Sequence, residues 1–271
     1  MPTLDGVDLS SAQESSPIDF GKLSKVGLEF IAIKATGENG YVNPYFARDW
    51  AQAKTAAPVR IAYHFLDGRD PVAQADQFLA AVGPVGSGDV LALDSEANPS
   101  EGIPEFPPEH LLPWFQRVQS KTGKLPFSYM GAYYRQASDP RYQLYPLWLP
   151  AYTSLNSPHT VRPWMIWQYT PFGNVSGISS QVDENCVSDY QAFRALAGLS
   201  QPPTPSPEDP VSQFMGRNPL TNEIAMFTDG SFWRCPLNAD EFNTWRQLKV
   251  EYRGNIAPIF FACTQKIAPS Q

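Results

Sequence analysis

Three times in the first half of the chain a short apolar segment gives way to a longer stretch of helical periodicity: 28–33 then 44–55, 59–65 then 71–82, 90–93 then 108–122. Short apolar runs bounded by turn formers read as buried strands, and the longer stretches, with apolar residues every three or four positions, read as helices. Strands joined by crossover helices pair in parallel, so a repeated βα rhythm implies a largely parallel sheet or barrel. Further strands are expected at 126–129, 147–151 and 164–169, with less helix between them, so the barrel is expected to be incomplete or irregular on that side. The fold class is therefore α/β, a TIM-like barrel.

The rhythm stops at Gln201-Pro-Pro-Thr-Pro-Ser-Pro-Glu-Asp-Pro210. Such a run cannot supply ladder hydrogen bonds and is expected to form an extended linker. It separates 1–200 from a unit of different character at 211–271. There, segments 223–228 and 231–236 flank Asp229-Gly230, a two-residue hairpin signal, because that turn needs positive φ. Asn238 followed by Glu241 resembles a capping box opening a helix through Lys249, and 256–262 is expected to add a strand. A unit of about 60 residues is marginal alone and gains stability by docking or self-association.

Composition narrows the ligand. The net charge is −7 and no basic run occurs, which argues against nucleic acid, whose phosphates demand clustered Lys and Arg. Aromatic residues are frequent at 13 % while charged ones are sparse at 17 %, a balance suited to sugars, whose apolar faces lie on rings. No stretch has the length or apolarity to span a bilayer, and the N-terminus lacks the pattern of a secretory signal. Synthesis in a reducing cytoplasm without a secretory signal is thus expected. The three cysteines, Cys186, Cys235 and Cys263, have no metal-ligand spacing; free thiols are expected, with a Cys235–Cys263 bridge as the alternative. The three histidines also lack ligand spacing, and no metal or cofactor is inferred.

The chemistry is sought at strand ends. In Val90-Leu-Ala-Leu-Asp-Ser-Glu96 an apolar strand runs straight into two carboxylates. Alternate residues share a strand face, so Asp94 and Glu96 project to one side, separated by about 6.5–7 Å of backbone rise. Two carboxyl groups in a partly dry site repel, which raises one of them into the range of a general acid. Taken alone, the pair reads equally well as two solvated carboxylates. Asp8 ends an N-terminal strand and Asp183 follows the last one; separately each reads as a surface aspartate. Together the four would surround one mouth. Tyr63 and Phe65, at the end of the 59–65 strand, and Trp148, Tyr152, Gln168 and Tyr169 are candidate substrate-binding residues, with core packing as the alternative for the rings. His64 is read as a satisfied strand-end histidine, because no serine or cysteine motif offers it a nucleophile.

These segments resemble the glycoside hydrolase family 25 lysozymes, the Chalaropsis-type muramidases common among bacteriophage endolysins. The motifs are Gly6-Val-Asp-Leu-Ser-Ser-Ala-Gln13, Phe30-Ile-Ala-Ile-Lys-Ala-Thr36, Tyr63-His-Phe65, Leu93-Asp-Ser-Glu96, Trp167-Gln-Tyr169 and Val182-Asp183, in the family's order. The resemblance implies a flattened, irregular β/α barrel that cleaves the β-1,4 bond between N-acetylmuramic acid and N-acetylglucosamine in bacterial peptidoglycan. It matches Glu96 to the general acid, Asp94 to the carboxylate beside it, Asp8 and Asp183 to the other cleft acids, and Tyr63 and Tyr152 to the cleft wall. The chain departs from the pattern at Ala56-Ala-Pro-Val59, where a glycine-containing turn is usual, and in the proline-enriched loop 104–108. A glucosaminidase on the same scaffold and a non-catalytic wall-binding lectin are the competing readings; the retained Asp8, Asp94, Glu96 and Asp183 speak against the lectin. In modular endolysins the position of 211–271 holds a wall-binding domain, and an oligomerisation module is the alternative.

Overall fold

The computed structural model describes residues 2–131, 140–153, 158 and 162–199, together with the backbone of strands at 214–217, 224–228, 231–234 and 251–255. The chain divides into two compact units, Met1–Ser200 and Gln201–Gln271.

The first unit is a closed eight-stranded barrel: β1 (Gly6–Leu9), β2 (Phe30–Thr36), β3 (Val59–Phe65), β4 (Asp89–Asp94), β5 (Phe127–Tyr129), β6 (Leu147–Pro150), β7 (Ile166–Gly173) and β8 (Val182–Val187). Strands β1 to β7 pair in parallel, whereas β8 lies antiparallel to both β7 and β1. The barrel is therefore closed where the sequence suggested incompleteness. Its irregularity is instead the reversed eighth strand, together with two register shifts between β7 and β8.

The outer helices are α1 (Phe20–Leu23), α2 (Phe46–Ala56), α3 (Pro71–Val82), α4 (Pro108–Thr122) and α5 (Tyr190–Leu196). Their ends follow from local chemistry. Asp70 caps α3 by accepting from the Ala73 N–H at 2.7 Å, with Pro71 in the first turn where its missing N–H costs nothing. Gly123 stops α4 in the left-handed region at φ 69°, a conformation that favours glycine. The buried stripe of α4, Leu111, Leu112, Trp114, Phe115 and Val118, packs with the apolar outward face of the strands, including Ile31, Ile33, Leu91 and Leu93.

A second core fills the barrel from the alternate positions: Phe30 and Ala32, Val59 and Ile61, Val90 and Ala92, Phe127, Trp148 and Ile166. Continuing each strand by two residues on the same face gives Lys34, Tyr63, Asp94, Tyr129 and Gln168. One strand face thus changes from apolar to polar as it nears the C-terminal ends of the parallel strands, and that polar layer is the mouth.

The second unit has a four-stranded sheet of order β11 (Ser231–Arg234), β10 (Ile224–Thr228), β9 (Phe214–Arg217) and β12 (Glu251–Asn255). β10 and β11 are antiparallel with Thr228 opposite Ser231, the pairing expected of the hairpin, and β12 pairs in parallel with β9. The turn residues Asp229-Gly230, the expected helix from Asn238 to Lys249, the expected strand 256–262, Cys235 and Cys263 lie outside the described residues.

Candidate active site

Asp8, Tyr63, Asp94, Glu96, Tyr129, Trp148, Tyr152, Gln168 and Asp183 line one pocket at the mouth, with a volume of about 190 Å³. Asp94 is the last residue of β4, and Glu96 lies two residues beyond it in the following loop. Asp94, Tyr129 and Trp148 are successive partners in register on β4, β5 and β6, so they stand side by side. Asp183 does not follow the last strand, as expected from sequence; it is the second residue of β8. Because β8 runs backwards, its beginning meets the same mouth as the ends of the parallel strands, and Asp183 sits directly opposite Asp8.

A hydrogen-bond network ties the walls together. Tyr129 and Tyr152 both donate through their hydroxyls to Gln168 Oε1, at 2.9 and 2.6 Å. Gln168 Nε2 and Asn185 Nδ2 both donate to Asp8 Oδ2, at 3.0 and 2.8 Å. Trp148 Nε1 donates to Asn185 Oδ1 at 2.7 Å. Asp94 Oδ1, by contrast, is shielded from solvent and has no hydrogen-bond partner among the described residues. A buried polar atom without a protein partner costs stability unless water or a ligand donor meets it.

The four carboxyl groups all hold their protons more tightly than usual. Burial raises Asp94, and the neighbouring Glu96 raises it further, against the Lys34 ammonium. Burial and the charge of Asp183 raise Glu96, again opposed by Lys34. Burial and Asp183 push Asp8 well above the carboxylate range despite the amides of Asn185 and Gln168. Burial raises Asp183 also, while the hydrogen bond from Asp8 pulls it back. Carboxyl groups crowded and buried in this way lose their protons in separate steps, so one stays protonated to higher pH than its neighbours.

Two expected wall residues stand elsewhere. Phe65 faces the same side as Tyr63 but lies under the Lys34 ammonium, 4.8 Å from its ring centroid, and does not line the pocket. Tyr169 alternates away from Gln168 and donates to Glu184 Oε2 at 2.8 Å. Trp148 lines the pocket as its floor, with 2 % of its surface exposed, whereas Tyr152 is 57 % exposed at the rim. His64 is buried in the core, between Thr36 Oγ1 and Gln74 Oε1. The sequence reading did not single out Tyr129, Lys34 or Asn185. Asn185 lies two residues from Asp183, and that spacing was the available signal; Lys34 and Tyr129 lie two residues beyond Ala32 and Phe127, which only the structure shows to face inward. Among the described residues no group of three His, Cys, Asp or Glu side chains is arranged to hold a metal ion, and no helix is long and apolar enough to cross a membrane.

Residues 7–178 match the model of the glycosyl hydrolases family 25. The uncharacterized protein YegX of Escherichia coli K12 is 32 % identical over 213 residues, 74 % of this chain and 76 % of that one. Lysozyme M1 of Streptomyces globisporus is 28 % identical over 211 residues, 72 % of this chain and 70 % of its own length. The crystal structure of the bacterial lysozyme from Streptomyces coelicolor superposes with a TM-score of 0.64 at 26 % identity, covering 71 % of this chain and 95 % of that one. The match spans β1 through the loop before β8 and contains Asp8, Asp94 and Glu96; the chain belongs to the glycosyl hydrolases of family 25, the lysozyme family.

Proposed function

We propose that this protein is a muramidase that hydrolyses the β-1,4 bond between N-acetylmuramic acid and N-acetylglucosamine in bacterial peptidoglycan. The observation that carries the reading is the pairing, in one pocket, of Glu96 with an Asp94 whose Oδ1 has no partner. In our reading the substrate's acetamide meets that oxygen. Its N–H donates to Asp94, which stabilises the ionised form and leaves the shared proton on Glu96. Glu96 then protonates the departing glycosidic oxygen while the acetamide oxygen attacks the anomeric carbon, and Asp94 steadies the positive ring so formed. In the second half Glu96, now a base, takes a proton from water as it opens that ring, which regenerates the acid and retains configuration. Tyr152 and Tyr63 supply ring and hydroxyl surface along the cleaved sugar, above the Trp148 floor. The two-unit organisation suits a modular endolysin, with residues 211–271 as a wall-binding or self-association module.

Digestion of purified peptidoglycan, borohydride reduction and mass spectrometry test the bond. Reduced muramic acid at the new ends is expected; reduced glucosamine would instead identify a glucosaminidase. Glu96→Gln is expected to lower turnover by at least about 10²-fold with the fold intact. An initial product of inverted configuration would rule out the acetamide route.

A further inference from the structure

Asn185 is wholly buried in β8, two residues from Asp183 and on the same strand face. An indole N–H donates and cannot accept, so the contact with Trp148 Nε1 fixes the amide, oxygen toward Trp148 and Nδ2 toward Asp8. With Gln168 Nε2 on the same atom, Asp8 Oδ2 accepts two N–H donors, which engage both of its lone pairs. Any proton on Asp8 therefore sits on Oδ1. Asp183 lies directly across the β1–β8 pair from Asp8 and lines the same pocket. Two carboxyl groups so placed repel when both are ionised, so the pair holds one proton in preference to none.

We infer that Asn185, itself held by Trp148, is a positioning residue for the hydrolytic reaction, fixing the proton of the Asp8 and Asp183 pair on Asp8 Oδ1 so that Asp183 stays ionised beside Glu96. The inference rests on the proposed role of Glu96 as the acid. An anionic Asp183 keeps the proton on Glu96 to higher pH, which is the state that protonates a leaving group. The other groups that act on this cluster are Lys34 from β2 with Glu38 beyond it, Tyr63 from β3, Asp94 from β4, Tyr129 from β5 and Tyr152 at the rim. Of these Lys34 supplies the opposing positive charge and is untouched by changes at Asn185.

The alkaline limb of the kcat/KM profile against pH reads loss of the Glu96 proton. In Asn185→Leu the Asp8 proton is free to take Oδ2, Asp183 loses its donor, and burial protonates Asp183. Glu96 then has one negative neighbour fewer and ionises at lower pH. The expected result is an alkaline limb displaced downward by about one pH unit, with kcat reduced about tenfold. Trp148→Phe keeps the ring and frees the amide to flip; it should move the limb the same way by less, and it serves as the readout if Asn185→Leu does not fold. Asp183→Asn should displace the limb similarly, and adding Asn185→Leu to it should displace it no further. Folded variants that melt earlier but keep the wild-type alkaline limb would overturn the inference. Glu96→Gln in the same assay separates the two failures: near-wild-type turnover removes the acid assignment, whereas an inactive Glu96→Gln with an unmoved limb in Asn185→Leu removes only the role of Asn185.

Discussion

The Lys34 ammonium stands 4.8 Å from the centroid of the Phe65 ring and is anchored there by Glu38 Oε2 at 3.1 Å. Phe65 is the register partner of Asp94, so the cation is held at the edge of the acid cluster, where it lowers both Asp94 and Glu96. Removing it leaves both carboxyl groups with higher pKa values. If activity needs Asp94 ionised and Glu96 protonated, both limbs of the kcat/KM profile move to higher pH in Lys34→Met, and Lys34→Arg restores them. An unmoved profile in a folded Lys34→Met would show that Lys34 only packs.

Tyr152 joins an exposed ring to a hydroxyl bonded to Gln168 at 2.6 Å. If its contribution is stacking on a sugar face, Tyr152→Phe keeps most of it and Tyr152→Ala loses it. The expected rise in KM for Tyr152→Ala on soluble glycan fragments is about tenfold, or about 1.4 kcal/mol, with a much smaller fall in kcat. Equal losses in both variants would place the effect in the hydroxyl instead.

Much of this arrangement is legible in the sequence because local signals agree. Strand β3 and helices α3 and α4 fall at the expected residues, since Asp70-Pro71 opens α3, Gly83 closes it, and Gly123 closes α4. Strand β8 escaped notice because its sequence Val-Asp-Glu-Asn-Cys-Val has polar residues where a strand signal needs apolar ones. Asn185 is buried and Asp183 half-buried in the site they help to build, a tertiary effect that no local pattern reports. Lys34 was hidden inside an apolar strand and Asn185 behind the two acids preceding it. The displacement of Phe65 from the pocket depends on a lysine lying across it, which strand alternation alone does not foresee.

His64 gives a stability prediction of definite sign. Its ring is buried against Trp114, with Thr36 Oγ1 at 2.7 Å from Nδ1 and Gln74 Oε1 at 3.0 Å from Nε2, and burial lowers its pKa to about 4. The unfolded chain binds the proton near pH 6.5, so between 6.5 and 4 the unfolded state holds more protons than the folded one. This group's contribution is full above that window and is lost as pH falls through it, on the order of 3 kcal/mol. His64→Gln should be less stable at pH 7 but lose less stability on going to pH 4, as measured by denaturant unfolding. An equal acid slope in both proteins would assign the loss to other groups.

Gly6 opens β1 on the inward face, and a Cβ there would fall within the ring of Phe30. Phe30 has no room to retreat: it is fully buried, with Trp148 at 6.1 Å and Phe193 at 5.6 Å between ring centroids. Gly6→Ala should therefore destabilise the barrel by about 1–3 kcal/mol through overpacking. Phe30→Leu in the Gly6→Ala background should recover part of that loss. Simple additivity of the two substitutions in denaturant unfolding would show that the crowding is relieved elsewhere.

The first unit carries its own closure. Strand β8 seals the barrel against β1 and β7, and the segment after α5 is fastened back onto the same unit: the Gly88 N–H donates to Ala197 O at 2.9 Å and Ser87 Oγ donates to Gly198 O at 2.5 Å. Each of these contacts survives truncation after Ser200. The protein lacking 201–271 should thus keep its melting temperature and its turnover on soluble glycan fragments, while its co-sedimentation with intact walls falls. Lost turnover on soluble fragments would make the second unit structural to the barrel, and unchanged sedimentation would remove wall binding from its role, leaving self-association to be read from the solution mass of the full chain.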